Sequence, residues 1–352
     1  MQLLGNLLGW ALARQGHNLT ILGATSGDTG SAAIHALRGK PNIRVVMLSP
    51  ADRMSAFQRA QMYSVLDDNI LNVAVRGTFD DCQDLVKKLN GDARFKAEQR
   101  LGAVNSINWA RIVAQAVYYF WAYKQSVEKI GTPVSFSVPS GNFGNAYAGL
   151  VSKFMGLPVD KIIVATNEND VLHQAIATGV YAPRAVAEVT SSPSMDITRS
   201  SNFERLLFEA CGRKKEIVEK MQASLSQKGC IQLQSDFPET FAKMKVFGLR
   251  SSTSTHADRL RLIRDMYRQE RLLIDPHSAD GLYGAMQHQD SENPVIVLET
   301  AQPAKFSETM REAVGFAVPP PKGMEKLMLL PQRVKTIDAD ADVLKSLIEK
   351  WR

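Results

Sequence analysis

The chain has 352 residues, of which 45% are hydrophobic and 22% charged, and its formal net charge is +6. This length is too great for one compact core and favours two domains that share a cleft. No run approaches the roughly 18 apolar residues of a membrane span, and no block of Lys and Arg with interleaved aromatic residues indicates a nucleic-acid partner.

The basic excess leaves two interpretations open: a solvated surface with a mild basic bias, or a field that attracts anionic small molecules. The first residues lack the basic leader and the cleavage site of a signal peptide. Cys82, Cys211 and Cys230 lie far apart without metal-ligand spacing. They predict reduced thiols in a cytoplasmic protein without a bound metal.

Helical and strand patterns alternate along the chain, which predicts an α/β fold of two domains with mostly parallel sheets flanked by helices. Apolar residues at helical spacing predict a first helix that Gly16 ends. The region from Asn202 to about Lys228 is predicted to be helical, and SSTST, further along the chain, is predicted to be a break between elements. Strands are predicted in chain order at LTILGA, IRVVMLS, ILNVAV, PVSFSVPS, KIIVATN and PVIVLET.

A long helix from about Ile107 to Val127 carries aromatic residues that we interpret as packing, namely Tyr118, Tyr119, Trp121 and Tyr123. Gly131 and Pro133 then mark a boundary. The prediction is a smaller domain over residues 1–130 and a larger one over residues 131–352.

Two glycine-containing loops each follow a predicted strand and precede a predicted helix. The first is ATSGDTGS from Ala24 to Ser31, and the second is SGNFGN from Ser140 to Asn145. Backbone N–H groups at a helix N-terminus can hold a carboxylate or a phosphate, and glycine lets the backbone approach a ligand closely. Each loop taken alone could equally be a tight strand-to-helix turn. One such loop in each domain favours a shared site.

Four segments follow one another along the chain: GATSGDTGSAAIHALRGK, NSINWARIVAQAVYYF, SVPSGNFGNAYAG and LETAQPAKF. Taken in this order, they resemble the threonine synthase family of fold-type-II pyridoxal-phosphate enzymes, whose architecture is like that of tryptophan synthase β. The version SGDTG is that of the microbial class. The resemblance implies the last step of threonine biosynthesis, in which O-phospho-L-homoserine and water give L-threonine and phosphate, with pyridoxal 5'-phosphate as cofactor and no nucleic-acid or membrane partner.

The resemblance also implies roles for individual residues. The cofactor phosphate would be held by Gly141, Asn142, Phe143, Gly144 and Asn145. Thr300 would meet the pyridine nitrogen, and Asp28 would lie near the phenolic oxygen. The substrate carboxylate would be held by Thr25, Ser26, Thr29 and Gly30. Its phosphate end would be held by Asn105, Ser106, Asn108 and Arg111, because a guanidinium can grip a phosphate with two hydrogen bonds.

Two departures from the family pattern affect catalysis. Gln302 stands where many relatives carry histidine, so no catalytic histidine is assigned there. The family's Schiff-base lysine lies in a Phe-Lys-Asp segment just before the helix that begins here at MQLLGNLL. Lys153 and Lys305 correspond to family positions that do not bind the cofactor covalently. We therefore expect a chain without its own catalytic lysine, truncated and almost inactive by itself.

Two other functions stay open at this point. One is a ligand-binding homologue without catalysis, and the other is a pyridoxal-phosphate lyase of the serine or threonine dehydratase kind. The pairing of SGDTG with NSINWARI favours threonine synthase over the second.

Overall fold

The computed structural model describes residues 1–25, 27–51, 54–103, 108–290 and 293–351, without the side chains of Asp28 and Asp80. The strands are β1 Leu19–Ala24, β2 Ile43–Pro50, β3 Ile70–Arg76, β4 Leu101–Gly102, β5 Val134–Pro139, β6 Val159–Thr166, β7 Val180–Tyr181, β8 Ile231–Gln232, β9 Leu249–Thr253, β10 Val295–Val297 and β11 Lys335–Asp338.

Helices alternate with these strands along the chain. They are α1 Gln2–Gln15, α2 Asp28–Leu37, α3 Ala56–Tyr63, α4 Phe79–Gly91, α5 Ala93–Glu98, α6 Trp109–Ser126, α7 Gly144–Phe154, α8 Val171–Thr178, α9 Phe203–Ala210, α10 Lys215–Lys228, α11 Leu233–Asp236, α12 Pro238–Val246, α13 His256–Glu270, α14 Pro276–His288, α15 Ser307–Val314 and α16 Ala341–Lys350. Short 3₁₀ turns lie at Pro193–Met195, Pro303–Lys305 and Leu327–Leu329.

The chain forms two compact units, one of residues 1–114 and 320–352 and the other of residues 115–319. The first unit contains a parallel sheet in the order β11-β3-β2-β1-β4. The second contains a parallel sheet in the order β10-β5-β6-β9 and the antiparallel pair β7-β8. The predicted α/β class with mostly parallel sheets is confirmed.

The sheet of the first unit is buried on both faces, as expected for parallel strands covered by helices. Along β2, Val45 and Met47 pack in one apolar cluster with Ile34 of α2, because alternate residues of a strand point to opposite faces. Val46 packs in the other cluster with Leu344 of α16.

Local sequence signals set several helix starts. Ser55 and Gln58 form a capping box at α3, in which each side chain bonds the other residue's backbone N–H. The pairs Thr78 with Asp81 at α4 and Thr255 with Asp258 at α13 do the same. A helix end is also set locally: α1 stops at its C-terminal end at Gly16, whose φ of 64° is left-handed and suits glycine.

The observed units end at different residues from the predicted division at 130 and 131. After residue 320 the chain returns to the first unit, where β11 pairs in parallel with β3. A four-residue strand with a largely exposed sequence gives no signal of its partner, and hence no signal of this return.

Two local interpretations also differ from the structure. The predicted helical region from Asn202 is interrupted between α9 and α10, where Gly212 and Arg213 have φ values of 74° and 62°. Much of SSTST belongs to β9, which pairs with β6 although few of its residues are apolar. Within the described residues, no helix is long and apolar enough to cross a membrane.

Candidate active site

The second predicted loop, Ser140 to Asn145, leaves the carboxyl end of β5 and leads directly into α7. Its neighbour β10 runs parallel to β5, with Val297 beside Ser137. Thr300 follows β10 by three residues. The SGNFGN loop and Thr300 therefore leave the same edge of one sheet, the edge at which open α/β sheets bind their ligands.

The loop offers a row of backbone donors. Within the described part of the chain, the N–H groups from Gly141 to Ala146 donate to no protein acceptor. The first bond of α7 is donated by Tyr147 to the Phe143 carbonyl, at 2.9 Å. Phe143 itself has a left-handed φ of 62°, and a left-handed residue followed by helical ones forms a concave array of N–H groups. This array and the positive end of the helix dipole suit an anion.

Ser140 adds a side-chain donor at the same place. The residue is only 4% exposed, and its Oγ has no hydrogen-bond partner among the described atoms. Leaving a buried hydroxyl unpaired costs about 1–3 kcal/mol, so a ligand that supplies an acceptor recovers this energy. The donors of the loop therefore fit the phosphate of pyridoxal phosphate.

The segment between β7 and α9 supports the loop from behind. A Cβ on Gly141 would lie 3.0 Å from Met195 Cα and 3.2 Å from the Ser194 carbonyl oxygen, so glycine is needed for this close packing. The Ser194 N–H donates to Nε2 of the buried His277 at 3.1 Å. The other ring nitrogen, Nδ1, lies 2.8 Å from Asp275, so the imidazole proton is on Nδ1. Neither His277 nor Asp275 was singled out from the sequence.

Tyr119 fixes the start of α7 from the side of α6. Its hydroxyl donates to the Asn145 carbonyl at 2.7 Å and lies 3.2 Å from Asn145 Oδ1. Burial raises the pKa of Tyr119, so the hydroxyl keeps its proton and remains a donor. A Cβ on Gly149 would lie 2.5 Å from the Tyr119 ring, so this glycine makes room for it. The interpretation of the aromatic residues as packing is confirmed for Tyr119 and Tyr123, which are buried, and is wrong for Tyr118 and Trp121, which are more than half exposed. It also missed this hydrogen bond of Tyr119.

The first predicted loop lies in the other unit, between β1 and α2. Thr25 is buried, and its Oγ1 accepts from the N–H groups of Gly27 at 3.0 Å and Gly30 at 2.8 Å. Its side chain therefore shapes the loop and has only its hydroxyl proton left to offer a ligand. Thr29 lies in the first turn of α2, which begins at Asp28. Ser26 and the side chain of Asp28 lie outside the described residues.

Two of the four residues predicted for the phosphate end of the substrate, Asn108 and Arg111, lie at the start of α6. The Asn108 side chain bonds to nearby backbone groups: its Oδ1 accepts from the Ala110 N–H at 3.0 Å and its Nδ2 donates to the Ala103 carbonyl at 3.3 Å. Arg111 is half-buried one turn further on. Asn105 and Ser106 lie outside the described residues.

Lys153 has a structural role. Its Nζ donates to the carbonyls of Asp160 at 3.1 Å and Phe247 at 3.0 Å. Burial lowers its pKa, ahead of the smaller effects of nearby charges. Lys305 lies in the 3₁₀ turn that follows Gln302, and it has interactions of its own.

Comparison with known proteins identifies the family. Residues 3–300 match the model "Pyridoxal-phosphate dependent enzyme", and residues 278–348 match "Threonine synthase, C-terminal". The threonine synthase of Methylobacillus glycogenes is 50% identical over 99% of this chain and 73% of the relative. That of Corynebacterium glutamicum is 48% identical over the same shares.

A solved structure gives the same result. The pyridoxal-phosphate-bound threonine synthase from Brucella melitensis is 39% identical, with a TM-score of 0.94, over 99% of this chain and 74% of that one. The chain belongs to the threonine synthase family of pyridoxal-phosphate-dependent enzymes.

Proposed function

We propose that the chain converts O-phospho-L-homoserine and water into L-threonine and phosphate, using pyridoxal 5'-phosphate. The observation that carries this proposal is the row of N–H groups from Gly141 to Ala146 and the Ser140 hydroxyl, which have no partner among the described residues. They lie at the carboxyl edge of a sheet in a threonine synthase family member. Such a row suits a phosphate dianion better than any neutral group.

When bound, pyridoxal phosphate withdraws electron density from the carbon skeleton of an amino acid, which is the chemistry that this reaction needs. The residues Gly141 to Asn145 would hold its phosphate. Thr300 would meet the ring nitrogen with a hydroxyl rather than a carboxylate, so that nitrogen would stay mostly unprotonated. Asp28 would lie near the phenolic oxygen.

The substrate would be held at its two ends by residues of the first unit. Thr25, Ser26, Thr29 and Gly30, at the N-terminus of α2, would bind the carboxylate. At the other end Arg111 would bind the substrate phosphate with two parallel hydrogen bonds, with Asn105 and Ser106 nearby. The Asn108 cap supports this role, since it fixes the first turn of the helix that carries Arg111.

The test is turnover of O-phospho-L-homoserine, with threonine and inorganic phosphate both quantified. It is made on this chain and on the same chain preceded by the family's Phe-Lys-Asp segment, so that the contribution of the lysine is measured directly. General acid–base help from one residue contributes about 10²–10⁴-fold, so we expect the extended protein to be faster by at least this factor.

Equal amounts of threonine and phosphate support the proposal. Binding of pyridoxal phosphate without turnover in both proteins would favour a ligand-binding homologue. Release of ammonia and a 2-oxo acid from L-serine or L-threonine, in preference to turnover of the phosphorylated substrate, would favour a dehydratase.

We also propose that the protein acts in the cytoplasm. Cys82, Cys211 and Cys230 are all free thiols, as is usual in a reducing compartment. Alkylation of the unreduced protein under denaturing conditions should modify three thiols, and fewer would argue for an oxidising compartment.

A further inference from the structure

The residues that precede α9 make close contact with the SGNFGN loop. Asn202 is fully buried, and it donates to the Asn142 carbonyl oxygen twice, from its backbone N–H at 3.2 Å and from its Nδ2 at 3.1 Å. Ser201 approaches the same loop residue, since its Oγ lies 3.1 Å from Asn142 Oδ1. The Asn142 carbonyl is thus held on the side of the loop that faces α9.

The orientation of this carbonyl determines that of the next N–H group. In a trans peptide the C=O of one residue and the N–H of the next point in opposite directions. Because Asn202 holds the Asn142 carbonyl towards α9, the Phe143 N–H must point away from α9. It belongs to the row of N–H groups that donate to no acceptor among the described residues.

Phe143 needs such support, because its left-handed φ is unfavourable for a bulky residue by about 1–3 kcal/mol. Its buried ring packs edge-on against Phe203, with centroids 5.8 Å apart. The side chain of Asn202 therefore holds the carbonyl of the Asn142–Phe143 peptide, and the ring of Phe203 holds the side chain of Phe143.

We infer that Asn202 is a positioning residue, which orients the Asn142–Phe143 peptide so that the Phe143 N–H donates to the cofactor phosphate. This inference rests on the proposed cofactor site. It requires an amide at position 202, because Nδ2 donates to the loop while Oδ1 accepts from Arg205 Nε at 3.1 Å. A carboxylate would satisfy Arg205 but repel the Asn142 carbonyl.

The experiment compares two ligands, pyridoxal 5'-phosphate and pyridoxal, which differ only in the phosphate. Their dissociation constants are measured by calorimetry for the full chain, for Asn202→Asp and for Asn202→Ala. A hydrogen bond to a charged group contributes roughly 10- to 100-fold in affinity. We expect both variants to lose about tenfold or more for pyridoxal phosphate, and less than about threefold for pyridoxal.

The matched control is Asn72→Asp. Asn72 is also buried and also donates its Nδ2 to a backbone carbonyl, that of Met62 at 3.0 Å, but it lies on β3 of the other unit. This variant should lose stability while the ratio of the two affinities stays that of the parent chain. A general loss of folding would change both ligands together, whereas loss of positioning changes only the phosphorylated one.

A second measurement does not depend on any variant folding. In wild-type protein labelled with ¹⁵N-phenylalanine, the Phe143 amide proton should move downfield when pyridoxal phosphate is added, and much less with pyridoxal. An unchanged affinity ratio in the Asn202 variants, or an unmoved Phe143 signal, would overturn the inference about Asn202 but not the proposed cofactor site. A parent chain that binds both ligands equally would overturn the proposed cofactor site and the inference with it.

Discussion

Gly141 is a residue of the SGNFGN loop at which an added side chain should disturb the backbone. Its missing Cβ leaves room for the backbone at Ser194 and Met195. Gly141→Ala should push the loop away from this support and misalign its N–H groups. We expect the affinity for pyridoxal phosphate to fall by about tenfold or more, measured by titration of the cofactor absorbance.

Gly91, at the end of α4, provides the control. A Cβ there meets nothing within 4 Å. Gly91→Ala should leave cofactor affinity unchanged and stabilise the chain slightly, by about 0.4–1 kcal/mol. If both glycine variants bound the cofactor like the parent, the loop would not be the phosphate site.

The second prediction for a single residue concerns Arg111, which we expect to bind the substrate phosphate. Arg111→Ala is made in the extended protein. It should reduce kcat/KM for O-phosphohomoserine by a factor that corresponds to about 2–4 kcal/mol of activation free energy, because a charge-assisted contact with the phosphate is lost. Cofactor affinity should not change, since a separate loop holds that phosphate. Arg94→Ala is the control, because this side chain is 88% exposed on α5.

The extended protein with Arg111 should prefer O-phosphohomoserine to homoserine by about 10⁴-fold, and its Arg111→Ala variant should lose most of this preference. A variant with the parent's preference would move the substrate phosphate site elsewhere, and comparable rates of the parent on both substrates would argue against threonine synthase activity.

The residues of the loop could be predicted, but those that support it could not. SGNFGN is visible because glycine and a strand-to-helix transition are both local features. His277, Tyr119 and Asn202 act on the loop from distant points in the sequence, and an ordinary asparagine or tyrosine has no local signal of such a contact. The Ser140 hydroxyl is notable only because it has no partner among the described residues, which is a property of the folded chain.

At the scale of elements, α16 tests the return of the chain to the first unit. Leu344 is fully buried in one cluster of that unit, whereas Val343 is 47% exposed. Leu344→Ala should lower the free energy of unfolding by about 2–5 kcal/mol, because it leaves a cavity. Val343→Ala should change it by less than about 1 kcal/mol.

Urea unfolding followed by far-UV circular dichroism measures both variants. Equal and small effects would mean that α16 does not pack on this sheet.

A buried group of charges joins α13 and α14. Arg259 of α13 lies 3.1 Å from Asp280 of α14 and 2.9 Å from both oxygens of Glu168. Burial raises the pKa of Asp280 to about 6, although Arg259 acts in the opposite direction. The folded state therefore holds this proton more tightly than the unfolded state does. The contribution of the protonated Asp280 to stability is present below about pH 4 and is lost as the pH rises through 6.

Asp280→Asn removes this dependence, since an amide does not titrate. The stability advantage of the parent over the variant should shrink by about 1–3 kcal/mol between pH 4 and pH 7, as measured by urea unfolding at several pH values. An advantage that grows over this range would mean that the Asp280 pKa is lowered, with Arg259 dominating over burial.

Elements with regular apolar patterns could be predicted, and irregular ones could not. β2 and β5 are runs of buried residues, and both were expected as strands. β9 was missed because LRSST is polar and is stabilised by its pairing with β6. The break between α9 and α10 was missed because Arg213 takes a left-handed conformation, which is uncommon for arginine.

At the scale of the whole molecule, the sequence predicted two α/β units but not which residues make up each. Contacts such as β11 with β3 join residues more than 250 positions apart, and a boundary drawn along the chain cannot represent them. The cofactor loop and Thr300 lie in residues 115–319, and the carboxylate loop and Arg111 lie in residues 1–114.

The most direct test of the central claim is a crystal structure of this chain with pyridoxal 5'-phosphate. We expect the phosphate within hydrogen-bonding distance of the N–H groups from Gly141 to Asn145 and of the Ser140 hydroxyl, with the ring nitrogen beside Thr300. A phosphate bound at any other place, with the SGNFGN loop left empty, would contradict the proposed site and the mechanism built on it.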